Sequence, residues 1–123
     1  MEKDCTLSIE SLIERFCTRW TLKTLFTLEE AGDGAMRFGE IRKRSGCTSD
    51  KMLNNALKEL DADGLIRKKF YPENPNRPDY SLTERGRSLL TVLHHLRDWA
   101  TDNMQDIMAD RKERDEMREK YDK

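Results

Sequence analysis

The chain has 123 residues, of which 36% are hydrophobic and 38% are charged, with a formal net charge of −1. This length predicts one domain, residues 1–123, whose modest core is built from amphipathic helices with solvated outer faces. The apolar stretches are too short to span a bilayer and the start, MEKD, lacks the apolar run of a signal peptide, so we expect no membrane partner and a cytoplasmic location.

Positive charge is concentrated in the middle of the chain. Residues 37–87 hold 12 basic and 8 acidic side chains, whereas both flanking segments have an acidic excess. Salt screens charges beyond roughly 8–10 Å, so attraction to phosphate depends on local charge. The near-neutral total therefore does not exclude a nucleic-acid partner.

Helical spacing predicts two N-terminal helices. The first begins near Leu7 or Ser8 within residues 7–17, with an apolar stripe at Ile9, Leu12, Ile13 and Phe16. After a break at Cys17 and Thr18, a second helix ends at Gly32 and Gly34, and its apolar positions are Trp20, Leu22, Leu25, Phe26 and Leu28.

Residues 39–63 predict a helix, a tight turn and a second helix. The first of these helices opens at Phe38–Ile41 and closes near Ser45 and Gly46. Ser49 is a good N-cap for the next helix and Gly64 a good stop, while the inner stripe consists of Met52, Leu53, Ala56, Leu57 and Leu60.

Residues 65–83 predict a basic β-hairpin. Ile66–Tyr71 forms one strand, Tyr80 and Leu82 share a face of the return strand, and the segment PENPNRP between them forms a stiff projecting loop. Thr83 then caps a further helix with an apolar stripe at Leu89, Leu90, Leu93, Leu96 and Trp99.

A helix-turn-helix followed by a basic hairpin is typical of a winged helix-turn-helix, whose second helix enters the DNA major groove. Opposite the leucines, the outer face of that helix presents Lys51, Asn54, Asn55 and Lys58, with Ser49 at the end that faces the groove. Asn can bind adenine through two hydrogen bonds, and Lys can reach guanine or phosphate. The alternative interpretation is an ordinary solvated helix face.

Basic residues around this helix are candidates for backbone contacts. The wing set is Arg67, Lys68, Lys69, Asn76 and Arg77. A secondary set on the preceding helix is Arg37, Arg42, Lys43 and Arg44. The alternatives are edge-strand lysines that oppose aggregation and plain surface charge.

The residues favour neither metal nor catalytic chemistry. The three cysteines form no CxxC pair, His94 and His95 face different directions on a helix, and no catalytic constellation or cofactor motif is present. Cys47, just before a helix N-terminus, is interpreted as a turn residue, with a reactive thiolate as the alternative. Cys17 is interpreted as a core or interface thiol. Cys5 is the best candidate for a redox sensor.

The C-terminal segment predicts an interface followed by a charged tail. Ala100, Met104, Ile107 and Met108 continue the helical stripe, and 12 of the 14 residues in 110–123 are charged. Spare apolar helices at 7–17 and 88–108 favour a homodimer, which would place two reading helices one DNA turn apart on a pseudo-palindromic operator.

Three segments resemble the HxlR-type winged helix-turn-helix regulators, within the MarR-like superfamily: RFGEIRK, SDKMLNNALKELDADGLIRKKFY and PENPNRPDYSLTERG. The resemblance implies a mainly α fold with a small β-hairpin, extra N- and C-terminal dimerisation helices, and homodimeric DNA-binding regulation. Leu7 occupies the place of the family's reactive cysteine, with Cys5 two residues earlier.

The leading hypothesis is therefore a sequence-specific regulator of double-stranded DNA, with repression as its simplest output, and not an enzyme. One alternative is a winged-helix protein-interaction module that does not bind specific DNA. The other is a sensor regulator that responds to a thiol-reactive or small-molecule effector, which the sequence does not identify.

Overall fold

The computed structural model describes residues 7–121, which form five α-helices and a three-stranded antiparallel sheet. The helices are α1 Ile9–Phe16, α2 Arg19–Glu29, α3 Phe38–Ser45, α4 Asp50–Ala62 and α5 Glu84–Tyr121. The strands are β1 Met36–Arg37, β2 Ile66–Tyr71 and β3 Asn74–Leu82. The order of elements is that of a winged helix-turn-helix, as the sequence predicts. The chain divides into two compact units, with the boundary inside α5 between Leu90 and Thr91.

The core of the first unit is formed by the inner faces of α2, α3 and α4. Leu25, Leu28, Ile41, Leu53 and Leu60 are almost completely buried. The predicted apolar face of α2 is partly wrong, because Thr21, Thr24 and Thr27 are buried while Trp20, Leu22 and Phe26 are half-buried. A buried hydroxyl is tolerated when it is hydrogen-bonded, and Thr24 Oγ1 donates to the carbonyl of Trp20 at 2.6 Å.

Two glycines and a serine define the helix-turn-helix. Gly46 ends α3 in the left-handed region with φ 78°, and Ser49 caps α4 by accepting a hydrogen bond from the Met52 N–H at 3.2 Å. Gly64, with φ 74°, ends α4 and allows the Leu65 N–H to donate to the Leu60 carbonyl at 2.9 Å. These three predicted helix ends are confirmed, whereas α2 ends at Glu29, before the predicted Gly32 and Gly34.

The sheet has a third strand, β1, in addition to the predicted two-stranded hairpin. β1 pairs with β3, through Met36 opposite Tyr80 and Arg37 opposite Asp79, so the strand order is β1-β3-β2. Arg37 therefore lies in β1 and precedes α3, whereas the sequence placed it on that helix. A two-residue strand has no periodicity that sequence analysis could detect.

The prediction that PENPNRP forms a long loop is also wrong, because most of this segment belongs to β3. Only Pro72 and Glu73 form the turn, and β3 begins at Asn74, which pairs with Tyr71. The β2–β3 register shifts between Lys69 and Tyr71, so residues 75–78 form a bulge opposite Phe70. Pro75 and Pro78 lack the N–H that a regular ladder needs, which explains an irregular strand here.

The last helix is continuous. Thr83 caps α5 by accepting from the Gly86 N–H at 3.1 Å, and α5 runs for 38 residues. The predicted segment 88–108 and the described part of the charged tail thus belong to one helix. Leu90 and Leu93 are buried, but Leu96 and Trp99 are exposed. Across residues 7–121, no helix is long and apolar enough to cross a membrane.

Candidate nucleic-acid interface

α4 separates its apolar and polar side chains cleanly. Leu53, Ala56, Leu57 and Leu60 are buried, whereas Lys51, Asn54, Asn55 and Lys58 are all exposed. The predicted outer face is therefore available to a partner. Met52, which the sequence assigned to the inner stripe, is 50% exposed.

The outer face of α4 and the wing share one cleft of about 390 Å³. It is lined by Lys51, Asn54, Asn55, Leu57, Lys58, Asp61, Lys68 and Tyr80. Lys68 comes from β2, directly opposite Tyr80 in the ladder. Its ammonium lies 5.2 Å from the Phe70 ring centroid and 6.0 Å from that of Tyr80, so the aromatic faces hold the charge beside α4.

The cleft carries more positive than negative charge. Among residues 7–121, no carboxylate lies within ion-pair distance of Lys51, Lys58 or Lys68. Asp61 supplies the negative charge. Burial raises the pKa of Tyr80, and the Asp61 charge raises it further, because both disfavour the phenolate.

Sequence reasoning did not include Asp61 and Tyr80 in the site. Asp61 lies three residues after Lys58 and seven after Asn54, so helical spacing alone could have placed it on the same face. Tyr80 could be identified only from the strand register, which the prolines obscure.

The three consecutive basic residues of β2 do not lie on the same face of the sheet. Because side chains alternate along a strand, Lys68 lies on the face of Ile66 and Tyr80, whereas Arg67 and Lys69 lie on the other. The Lys69 ammonium lies 5.1 Å from the ring centroid of Tyr71. Burial, followed by a hydrogen bond to Asp79, raises the pKa of Tyr71.

Asn76 and Arg77, in the bulge of β3, line a second cleft of about 390 Å³. This cleft lies between the bulge of β3 and the junction of β1 with α3, where Arg37, Phe38 and Glu40 also contribute. The structure therefore places the predicted wing residues in at least two locations.

The secondary set is largely engaged in ion pairs. Arg37 Nε lies 3.2 Å from Asp79, Arg42 Nε lies 2.8 Å from Asp50, and Arg44 pairs with Glu30 at 2.9 Å and with Glu40 at 3.1 Å. The two carboxylates raise the pKa of Arg44. These pairs are exposed and therefore weak, so phosphate can compete for the arginines. Lys43 has no ion pair among residues 7–121.

The cysteines occupy different environments. Cys47 is buried, and its thiol donates to the Ser49 carbonyl at 3.3 Å, which makes it a structural residue of the turn. Cys17 is exposed, which excludes the core position that the sequence offered for it, whereas the interface position stays a prediction. Cys5, the predicted sensor, lies outside the described residues. No cluster of three or more metal-binding side chains occurs in 7–121.

Comparisons with known proteins support this architecture. A family model described as HxlR-like helix-turn-helix matches residues 16–108. An HTH-type transcriptional regulator of Methanothermobacter thermautotrophicus is 38% identical over 92 residues, covering 75% of this chain and 68% of the relative.

Solved structures of transcriptional regulators also match this chain. The regulator YtfH of Salmonella typhimurium matches with a TM-score of 0.70 and 30% identity, covering 84% of this chain and 89% of that one. Diamide-treated YodB of Bacillus subtilis matches with a TM-score of 0.65 and 32% identity, covering 76% and 90%. YodB has also been solved in a reduced form.

The family match spans the helix-turn-helix, the wing and α5 as far as residue 108, so the resemblance found in the sequence motifs is confirmed. The relatives are transcriptional regulators. The chain is accordingly a transcriptional regulator with a helix-turn-helix DNA-binding fold, and it belongs to the HxlR-like helix-turn-helix family.

Proposed function

We propose that this regulator binds a specific, pseudo-palindromic double-stranded DNA operator as a homodimer and represses transcription by occluding a promoter. The observation that carries the proposal is the cleft between α4 and β2. It combines the exposed amides of Asn54 and Asn55 with three lysines that have no ion pair among residues 7–121.

The two kinds of side chain suit two tasks. The amides of Asn54 and Asn55 can each donate to adenine N7 and accept from adenine N6 in the major groove, so they are the candidates for reading bases. Lys51, Lys58 and Lys68 suit phosphates or guanine acceptors. Ser49 keeps the N-terminal end of α4 ordered by capping it.

The second set of contacts would come from the flanks of the cleft. Arg77 and Asn76 at the bulge, and Lys43 on α3, are exposed and suited to backbone contact. Arg67 and Lys69, on the opposite face of β2, are weaker candidates because Lys68 alone faces α4.

Exposed apolar side chains support dimerisation. Ile9 and Ile13 on α1 are 69% and 53% exposed, and Leu96 and Trp99 on α5 are 52% and 58% exposed. Burial of such surface is the main driving force for subunit association. A two-fold dimer presents two reading helices to half-sites about 34–36 Å apart.

Selection of bound duplexes from random DNA tests the proposal. We expect an enriched sequence made of two inverted half-sites. Recovery of no enriched sequence at physiological salt would contradict specific binding and favour the protein-interaction alternative. Enrichment of a single, asymmetric site would contradict the dimer. Transcription from a promoter containing the operator should fall when the protein is added.

A salt titration tests the role of the cleft. The logarithm of the affinity should fall linearly with the logarithm of salt concentration, with a slope near −0.9 for each phosphate contacted. Lys68→Ala should reduce that slope by about one phosphate contact. Lys23→Ala on α2 removes an equivalent charge outside the cleft and is expected to leave the slope unchanged.

A response to thiol reagents is the second candidate. It is favoured by the similarity to YodB, which has been solved in reduced and diamide-treated forms, and by the exposure of Cys17. Treatment with an electrophile should release DNA if a cysteine controls affinity. Equal release from Cys5→Ser and wild type would exclude Cys5, and Cys17→Ser then tests the exposed thiol.

A further inference from the structure

The C-terminal end of α4 has an unfavourable charge pattern. Its last turn carries Glu59 and Asp61 and no basic residue, and its C-cap is Asp63. The negative end of the helix dipole disfavours carboxylates at this position. These residues therefore reduce helix stability unless another interaction compensates.

Asp63 has such an interaction. Its carboxylate accepts hydrogen bonds from Arg15 Nε at 3.2 Å and Nη2 at 3.1 Å, which fastens α1 to the end of α4. Asp61 has no ion pair among residues 7–121. Unlike Asp63, it has no arginine partner among the described residues, and it lies in the cleft with Lys58 and Lys68.

We propose that Asp61 is a specificity-determining residue that weakens the binding of this cleft to DNA in general. This inference rests on the proposed DNA-binding function. Phosphate oxygens attracted by Lys58 and Lys68 must also approach the Asp61 carboxylate, which repels them. Binding through phosphates alone is therefore penalised.

The penalty differs between correct and incorrect sequences because of the chemistry of the major groove. In register with an operator, the carboxylate can face a base edge that carries an amino donor, such as cytosine N4. Out of register it faces phosphate or carbonyl acceptors, which offer it no hydrogen bond. Discrimination by repulsion of the wrong partner adds to discrimination by attraction to the right one.

Glu59 provides a matched comparison. It carries the same charge near the same end of α4, but it lines another cleft between α2 and α4 with Trp20 and Met52, which shares only Asn55 with the first cleft. A general effect of net charge or of the helix dipole should appear in both positions. An effect on DNA selectivity should appear only at Asp61.

The experiment measures the affinity of wild type, Asp61→Asn and Glu59→Gln for the selected operator and for a random duplex of equal length. Asp61→Asn should bind the random duplex roughly threefold to tenfold more tightly, as expected for removal of one nearby surface charge. The ratio of operator to random affinity should fall by a similar factor. Glu59→Gln should keep the wild-type ratio.

Thermal unfolding separates this role from a structural one, because removal of either carboxylate should leave the midpoint unchanged or slightly higher. An unchanged ratio in Asp61→Asn would overturn the proposal. A lower affinity for the operator without a gain on random DNA would also overturn it and make Asp61 an attractive base contact. Absence of any operator for wild type would overturn both this inference and the proposed function, whereas equal selectivity of wild type and variant overturns only the inference.

Discussion

Thr83 and Gly86 join the wing to α5 through a compact set of contacts. Thr83 Oγ1 donates to the Gly64 carbonyl at 2.6 Å and its N–H donates to the Leu65 carbonyl at 3.1 Å. Gly86 lies so close to this loop that a Cβ at its position would overlap the Leu65 carbonyl and contact Leu82. The Leu-Thr-x-x-Gly motif therefore has a physical cause, which is the close approach of two backbone segments.

Gly86→Ala should consequently destabilise the protein. The added methyl group requires a backbone shift, and overpacking of this kind costs about 1–3 kcal/mol. Chemical denaturation measures the difference in the free energy of unfolding. Gly39→Ala is the control, since a Cβ there has no atom within 4 Å and alanine favours the helix. Equal stability of the two variants would contradict the steric explanation.

The raised pKa of Tyr80 predicts that the protein loses stability at alkaline pH. Its pKa is raised in the folded protein, first by burial and then by Asp61, while the unfolded chain has the ordinary value of about 10. The folded state holds the phenol proton more tightly than the unfolded chain does. The contribution of Tyr80 to the free energy of unfolding is therefore fully present below the pKa of the unfolded state, and it is lost as pH rises through the pKa of the folded state.

Unfolding measurements between about pH 9 and 11 test this expectation. Tyr80→Phe should flatten the fall in stability, and Asp61→Asn should shift the phenolate absorbance titration of Tyr80 to lower pH because it removes one of the two causes. An unchanged titration in Asp61→Asn would show that the carboxylate does not act on Tyr80.

At the scale of secondary-structure elements, the wing is a three-stranded sheet with a two-residue turn and not a hairpin with a long loop. β3 is the central strand, and Asp79 forms an ion pair with Arg37 of β1 and lies close enough to Tyr71 of β2 to raise its pKa. Asp79, which lies in the family-like segment PENPNRPDYSLTERG, thus braces the sheet. Arg37, considered in sequence as a DNA contact, contributes to that brace.

Asp79→Asn should loosen the wing without unfolding the protein. The Arg37–Asp79 pair is partly exposed, so the expected loss is about 0.5–1 kcal/mol. The pKa of Tyr71 should fall but stay above its ordinary range, since burial is its largest cause. Denaturation and phenolate titration provide the two measurements. Glu14→Gln on α1 is the control, and a Tyr71 pKa unaffected by Asp79→Asn would contradict the brace.

The elements that could be predicted from sequence are those with strong local patterns. α4 was predictable because Ser49, four inward apolar residues and Gly64 all indicate the same helix. β1 could not be predicted, since it consists of two residues stabilised by pairing with β3. The buried threonines of α2 were missed because their polarity suggests exposure, and their hydrogen bonds exist only in the folded helix.

At the scale of the whole molecule, part of the candidate site follows from local sequence patterns and part depends on how the strands pair in the fold. The polar face of α4 follows from helical spacing, but its union with Lys68 and Tyr80 in one cleft requires the register of β2 with β3. The second unit consists of α5 from Thr91 onward, and most of its large apolar side chains are exposed. A single helix with such a surface has no core of its own, which is consistent with the proposed association of two copies.

The final prediction concerns this association. Glutamate in place of both Leu96 and Trp99 should prevent dimerisation, because burying two carboxylates without partners is costly. Sedimentation should give the mass of one chain, with helix content preserved because both positions are exposed. Affinity for the full operator should fall to that for a half-site. Met117→Glu, at a position 54% exposed in the charged tail, should remain dimeric, and a dimer that survives the double substitution would place the interface elsewhere.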